Sequence, residues 1–153
     1  MADAFTVLRR DHERVERMLT ELEEGPNAAG GADQAQLIAR RRLMQQLVAD
    51  QSGHEAAEEQ CLWPVVRERL PGGDVLADEA MGQEQGAKRA LGQLDQLEAW
   101  DQGFEPLLRA FIAATREHVT FEETKVWPGL RQALSSEETD DLGDKLLKAR
   151  PAA

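Results

Sequence analysis

The chain has 153 residues, of which 41% are hydrophobic and 31% charged, so it is long enough to fold as one domain with a buried core. We therefore expect a single domain over residues 1–153. Its net charge of −11 disfavours nucleic acid and anionic membrane surfaces as partners, because both would repel it. A single cysteine, no apolar leader and no run of about 18 apolar residues predict a cytoplasmic protein.

The first two predicted helices lie in the N-terminal half. An apolar stripe with spacings of three and four residues predicts the first helix from about Asp3 to Glu24, before Gly25 and Pro26. The second helix is expected to be capped by Asp33 and to run to about Leu70. Pro64 should kink it, or end it before a short extension.

Three further helices follow. We expect the third to be capped by Asp74 and to reach about Trp100, and the fourth to run from Glu105–Pro106 to Pro128–Gly129. Ser135 and Glu138 form a capping-box pattern that predicts a short fifth helix through about Ala149. No segment alternates as a strand does. The fold class is thus all-α, an up-down-up-down four-helix bundle with a short C-terminal fifth helix.

The fifth helix carries an apolar face of its own. Leu142, Leu146 and Leu147 predict that it lies across the bundle as a lid.

A repeated segment is the most informative feature. The stretch His-Glu-Ala-Ala-Glu-Glu-Gln-Cys-Leu-Trp-Pro at 54–64 matches His-Val-Thr-Phe-Glu-Glu-Thr-Lys-Val-Trp-Pro at 118–128, with five identities in eleven residues and a displacement of 64 positions. Such a repeat indicates a duplicated helix pair with pseudo-two-fold symmetry.

Each copy of the repeat places a histidine and a glutamate on one helix face, because residues four apart lie one above the other. His54 with Glu58, and His118 with Glu122, lie on stripes that are otherwise apolar. The third histidine, His12, lies on the apolar stripe of the first helix. Carboxylates turned into a core cost several kcal/mol each unless they are paired or bind cations. The pattern therefore predicts a metal site, although an isolated core histidine or His-x-x-x-Glu pair would more often be structural.

With these residues, the sequence resembles the hemerythrin-like (HHE cation-binding) family over residues 5–131. The resemblance implies a four-helix bundle with a non-haem di-iron centre, whose ions would be bridged by oxo or carboxylate groups. It assigns His12, His54, Glu58, His118 and Glu122 as metal ligands, with the two glutamates as bridges. Zinc or manganese are alternative metals.

The third helix departs from the family pattern because it has no histidine. Glu84 is the predicted replacement ligand, since Ala87, Leu91 and Leu94 then occupy core positions three, seven and ten residues later. Gln85 is the alternative, and a water in an open position is the third possibility. A carboxylate in place of an imidazole makes the ligand set harder, which disfavours reversible O₂ storage and favours reaction with O₂, peroxide or nitric oxide.

The resulting hypothesis is a di-metal protein that binds or reacts with O₂, H₂O₂ or NO in sensing, detoxification or iron handling, as a monomer or weak homodimer. Peroxidase-, catalase- or oxidase-like activity of a di-iron centre is an open alternative to ligand binding alone. Two alternatives stay open: an enzyme acting on an organic substrate in the bundle pocket, and a redox-inert zinc-binding bundle. Glycines in the third helix could make room for a substrate, but close helix packing is the preferred explanation; they are Gly82, Gly86 and Gly92.

Several neighbouring residues are assigned lesser roles. Trp63–Pro64 and Trp127–Pro128 are expected to form an aromatic plug and a helix stop. We expect Glu16 on the surface, and Glu59 and Glu123 either on the surface or supporting the ligands. Lys125 either pairs with a ligand carboxylate or extends to solvent. Cys61 is more often a small apolar residue than a soft ligand.

Overall fold

The computed structural model describes residues 3–150, and every regular element within that range is helical. The elements in chain order are α1 (Ala4–Glu24), α2 (Gln34–Ala57), a first π turn (Glu58–Leu62), α3 (Trp63–Arg69), α4 (Gly73–Leu94), α5 (Phe104–Phe121), a second π turn (Glu122–Val126), α6 (Trp127–Ala133) and α7 (Ser136–Ala149). The predicted helical bundle with a fifth C-terminal helix is confirmed.

The helix starts follow from local capping. Asp3 accepts a hydrogen bond from the backbone N–H of Thr6 and begins α1. Asp33 and Gln36 form a reciprocal capping box at α2, and Ser135 and Glu138 form another at α7. Each box satisfies two backbone N–H groups that the first helical turn leaves without partners.

The two Trp-Pro pairs do not stop their helices, which corrects the predicted helix stop. At each site the helix widens into a π turn, in which the N–H of Trp63 donates to the carbonyl of Glu58 and that of Trp127 to Glu122. Pro64 and Pro128 then lie in the first turn of a new α-helical segment, where a missing N–H costs little. The continuation reaches Arg69 in one copy and Ala133 in the other.

The third helix of the bundle, α4, is shorter than predicted. It ends at Leu94 rather than near Trp100, and the Arg41 guanidinium donates to the Leu97 carbonyl at 2.9 Å in the segment that follows. Its N-cap is Gly72 in a left-handed conformation (φ 68°), not Asp74, which lies in the first turn. A Cβ on the next residue, Gly73, would lie 2.0 Å from the Val66 carbonyl oxygen, so this tight connection requires glycine.

Two apolar clusters fill the bundle at different levels. One contains Leu8 of α1 and Ala80 of α4, whereas the other contains Val15 of α1 and Leu94 of α4. His12 lies between Leu8 and Val15 in sequence, and Glu84 lies between Ala80 and Leu94. A polar layer therefore separates the two apolar clusters.

The C-terminal helix α7 packs against α1, α2 and the first π turn, as expected of a cover over the bundle. Leu142 and Leu146 are buried in the first apolar cluster. Leu147 is 48% exposed, so the prediction that it belongs to the packed face is wrong; it lies one residue, about 100°, round the helix from Leu146.

Among residues 3–150, no helix combines the length and apolarity required to cross a bilayer.

Candidate metal centre

The six residues predicted as metal ligands meet in the polar layer of the bundle. Each of the four long helices α1, α2, α4 and α5 supplies one of them, and each π turn begins with one more. All are at most 5% exposed; they are His12, His54, Glu58, Glu84, His118 and Glu122. Whether each binds metal stays a prediction, but folding brings all six together.

Their ligand atoms fall into two groups that share one residue. The first group is His12, His54 and Glu122, and the second is Glu58, Glu84, His118 and Glu122; within each group the ligand atoms lie within 4.8 Å of one another.

Glu122 joins the two groups because its two oxygens face different histidines. Its Oε2 lies 3.1 Å from His12 Nε2 and 4.0 Å from His54 Nε2, whereas its Oε1 lies 3.0 Å from His118 Nε2. A carboxylate with this placement can bridge two cations.

Several atoms in the cluster are buried without a hydrogen-bond partner. These are His54 Nε2, His118 Nε2, both oxygens of Glu58, and one oxygen each of Glu84 and Glu122. Buried polar atoms normally have partners, and leaving one without costs about 1–3 kcal/mol. Imidazole nitrogens and carboxylate oxygens are common ligands of iron, manganese and zinc. The donor set therefore fits a pair of divalent or trivalent cations.

The two repeat histidines are oriented by equivalent neighbours. His54 Nδ1 donates to Asp11 Oδ2 at 2.8 Å, and His118 Nδ1 donates to Gln83 Oε1 at 2.8 Å. These hydrogen bonds turn each Nε2 towards the cluster and fix the tautomer, as outer partners of metal-bound histidines do.

Asp11 and Gln83 were not predicted from the sequence as site residues. Each directly precedes a cluster residue, His12 in one half and Glu84 in the other. This shared position would have been a usable signal, since the duplication implies equivalent partners for His54 and His118. It also makes Glu84 the counterpart of His12.

His12 is held in a different way. Its Nδ1 donates to Glu123 Oε1 at 3.1 Å, and its ring stacks on Trp127 with centroids 5.1 Å apart and an interplanar angle of 10°. Glu123 thus supports a cluster residue, one of the two roles expected for it. Glu59, at the equivalent place in the first repeat, is exposed. The α4 residue equivalent to His12 is Glu84, which has no ring nitrogen for Glu59 to hold.

Of the two α4 residues considered as the replacement ligand, only Glu84 lies in the cluster. Glu84 is 2% exposed and its Oε1 lies 3.4 Å from His118 Nε2. Gln85, about 100° further round the helix, is exposed. The geometry therefore places Glu84, and not Gln85, within the cluster.

The close approach of imidazoles and carboxylates in the cluster shifts the pKa values of its members. Burial alone would lower the pKa of His118, but the carboxylates of Glu122 and Glu84, 3.0 and 3.4 Å from its Nε2, raise that pKa to about 10. The pKa of His54 is also well above its ordinary value, because Glu58 and Asp11 outweigh burial. Burial and the charge of Glu122 raise the pKa of Glu58, whereas the neighbouring imidazoles of His118 and His12 lower the pKa of Glu122 despite its burial. Because imidazoles and carboxylates bind metal in their deprotonated forms, metal binding would displace protons from these groups.

Other candidates lie outside the cluster. Cys61 is half-buried, with its thiol 3.6 Å from the Lys145 carbonyl oxygen of α7. Lys125 is exposed, as in the prediction that it extends to solvent. Glu16 is on the surface as predicted, where it pairs with Arg116 at 2.8 Å.

The glycines of α4 do not serve close packing. A Cβ on Gly82 or Gly92 would meet nothing within 4 Å, and one on Gly86 would meet only the Arg89 side chain at 3.8 Å. The preferred packing explanation is therefore wrong, and nothing in the structure explains these residues.

A helical bundle with a buried layer of histidines and glutamates defines a cation-binding protein. The sequence pattern of the hemerythrin HHE cation binding domain matches residues 3–130. The chain therefore belongs to the hemerythrin HHE cation-binding domain family.

A solved structure agrees with this assignment. The crystal structure of a hemerythrin HHE cation binding domain-containing protein from Mycobacterium kansasii superimposes with a TM-score of 0.80, covering 97% of this chain and 85% of that one at 19% identity. At that identity the likeness concerns the fold.

A curated relative is much longer. A protein named DNA nickase, from a Nostoc strain, is 28% identical over 144 residues, which is 94% of this chain but 38% of the nickase. The chain thus corresponds to well under half of that relative.

Proposed function

We propose that the chain holds two iron ions in this cluster and reacts with O₂, hydrogen peroxide or nitric oxide, in a sensing, detoxifying or iron-handling role in the cytoplasm. The observation that carries the proposal is the placement of Glu122, whose two oxygens face histidines of different groups. Glu122, with Glu58 beside it, would bridge the two ions. His12 and His54 would hold one ion, and His118 with Glu84 the other.

The donor set supports reaction over reversible storage. The first group offers two imidazoles and one carboxylate, whereas the second offers one imidazole and three carboxylates. Hard, anionic oxygen donors favour ferric over ferrous iron, which opposes release of O₂ unchanged. When bound, the iron supplies Lewis-acid and redox chemistry. The protein's part is to hold the Nδ1 protons of the histidines on Asp11, Gln83 and Glu123 and to exclude bulk water.

A small cavity beside the second group supports a small ligand. It has a volume of about 20 Å³, and Glu84 and His118 line it together with the apolar Phe111 and Leu91 and the polar Gln51 and Thr115. A cavity of roughly 10–15 Å³ is enough for one water-sized molecule. This favours a diatomic ligand or peroxide over an organic substrate, and the α4 glycines add no room because their side-chain positions face outward.

The nicking activity named for the Nostoc relative is not carried over to this chain. A net charge of −11 opposes contact with DNA phosphates.

Metal analysis and spectroscopy of protein purified from its native host test the proposal. We expect about two irons per chain and near-ultraviolet absorption of an oxo-to-ferric type, with spectral change on adding peroxide to the oxidised form, or O₂ or NO to the reduced form. Zinc alone, or manganese alone, would replace the iron assignment. A stable oxygenated spectrum that reverses on removing O₂ would contradict the reactive role.

The bridging role has its own test. Glu122→Gln should bind fewer than two irons per chain, because an amide cannot supply two anionic oxygens. Glu117→Gln, which makes the same substitution at an exposed position of α5 five residues earlier, is the matched control and should keep both ions. Equal metal content in the two variants would remove Glu122 as the bridge.

A further inference from the structure

The end of the C-terminal helix contacts the residue that orients His54. The Arg150 guanidinium pairs with Oδ2 of Asp11, and this same oxygen accepts the Nδ1 proton of His54 at 2.8 Å. A continuous chain of three side chains therefore runs from α7 to the cluster. α7 lies beyond residues 3–130, the segment that matches the family pattern.

Packing of α7, and not the charge of Arg150 alone, sets the position of this guanidinium. Leu142 and Leu146 are 4% and 1% exposed in the first apolar cluster, and Ala149 packs against the same cluster. Arg150 follows directly and is 32% exposed, whereas Asp11 is 16% exposed. A partly buried pair of this kind is less screened by solvent than a surface pair.

The two halves of the protein differ at this point. His118 has a neutral amide, Gln83, as its outer partner, whereas His54 has a carboxylate that is itself held by a cation. The repeated halves do not share the Arg150 contact, which comes from the segment that follows the repeat in the chain.

We infer that Arg150 is a positioning residue for the metal centre: it fixes the Asp11 carboxylate against His54 and so makes docking of α7 part of the metal site. This inference rests on the proposed metal function, because it concerns how a ligand of that site is held. With Arg150 in place, Asp11 Oδ2 stays on the Nδ1 proton, and His54 Nε2 stays turned towards the cluster. Without it, the carboxylate is free to turn to solvent and the imidazole to reorient.

The test compares Arg150→Gln with Lys148→Gln, which removes the same charge from an exposed position of the same helix. In protein loaded with Co²⁺, Nδ1 protons of metal-bound histidines give shifted NMR signals that exchange with water. We expect Arg150→Gln to speed exchange of the His54 signal by about tenfold while leaving the His118 signal unchanged, and to weaken Co²⁺ binding by up to about tenfold. Lys148→Gln should change neither.

A double variant separates positioning from simple stabilisation. If Arg150 acts through Asp11, then Arg150→Gln should have little further effect on Co²⁺ affinity in an Asp11→Asn background. Losses of Co²⁺ affinity that add in the double variant would overturn the inference. So would an Arg150→Gln variant that melts at a lower temperature but keeps the wild-type His54 signal and Co²⁺ affinity.

The outcome can be distinguished from failure of the metal proposal. Wild-type protein that binds no pair of Co²⁺ ions would count against the metal function. In that case the Nδ1–H signal of His54 in metal-free, ¹⁵N-labelled protein decides the inference. Faster exchange in Arg150→Gln than in Lys148→Gln supports it, and equal exchange overturns it.

Discussion

Gln83 Oε1 accepts the Nδ1 proton of His118 at 2.8 Å, at the place where the other half of the protein uses the carboxylate of Asp11. The duplication has thus kept the hydrogen bond while changing its charge. A neutral acceptor makes His118 a weaker electron donor than a carboxylate would. The two metal positions proposed for the cluster should therefore differ in electronic character as well as in donor set.

Removing this acceptor should weaken the metal position that includes His118. For Gln83→Ala we expect a loss of about 10- to 100-fold in affinity at one of two positions, since the imidazole is no longer held with Nε2 inward. Competition with a chromophoric chelator measures it. Gln85→Ala, two residues further and exposed, is the control; if both variants bind equally tightly, the Gln83 contact does not support the site.

Glu84 should be needed for full metal content. Glu84→Ala removes a carboxylate whose Oε1 lies 3.4 Å from His118 Nε2, so metal analysis should give fewer than two ions per chain. Glu84→His should restore two, because an imidazole can take the same position, and Gln85→Ala should keep two. Retention of both ions in Glu84→Ala would show that Glu84 is not a ligand.

Trp127 should contribute strongly to stability. It is 2% exposed and stacks on His12, so Trp127→Ala should lower the free energy of unfolding by about 3–5 kcal/mol. Trp100 is 48% exposed, and Trp100→Ala should change that free energy by no more than about 0.5 kcal/mol. Urea unfolding of the metal-free proteins measures both, and similar midpoints for the two variants would contradict the assignment.

The metal-free protein should lose stability as the pH rises. The pKa of His118 is raised from 6.5 to about 10 in the folded state. Its contribution to the free energy of unfolding is therefore complete below pH 6.5 and is lost as the pH rises through about 10. Burial beside Glu84 raises the pKa of Glu55 from 4.5 to about 7. The contribution of Glu55 to the free energy of unfolding is therefore also lost as the pH rises, between about 4.5 and 7.

Urea midpoints at pH 6, 8 and 10 in the presence of a chelator check this dependence. His118→Gln should flatten the upper part of the profile, because the titrating group is absent. Bound metal should also flatten it, since cations replace the protons. A midpoint that rises between pH 6 and pH 10 would contradict the expected sign.

The sequence predicted helices best where an end depends on local chemistry. Asp33 and Ser135 cap through residues three positions away, so each start was visible in the sequence. The end of α4 was not, because the three- and four-residue spacing of its stripe continues in the sequence to Glu98, whereas the helix ends at Leu94. Contacts such as that of Arg41 from α2 with the Leu97 carbonyl arise only once the bundle has formed.

The cluster was predictable for a related reason. The repeat and the apolar stripes put the six inward residues at core positions, whereas Asp11 and Gln83 do not continue any stripe. Their roles depend on which helix lies opposite, and Arg150 depends on the docking of a helix outside the repeat.

The two π turns bear on how the repeated halves of the chain arose. Each tryptophan follows the histidine of its repeat by nine residues, which in an uninterrupted α-helix would place it about 180° round the helix axis from that histidine. The π turn takes up one extra residue, which reduces this angle to about 80°. Trp63 and Trp127 reach the core in this way, each 2% exposed. Both turns occupy equivalent positions and are followed by seven-residue helices. An extra residue at the same place in both copies is what duplication of a helical hairpin that already contained it would leave.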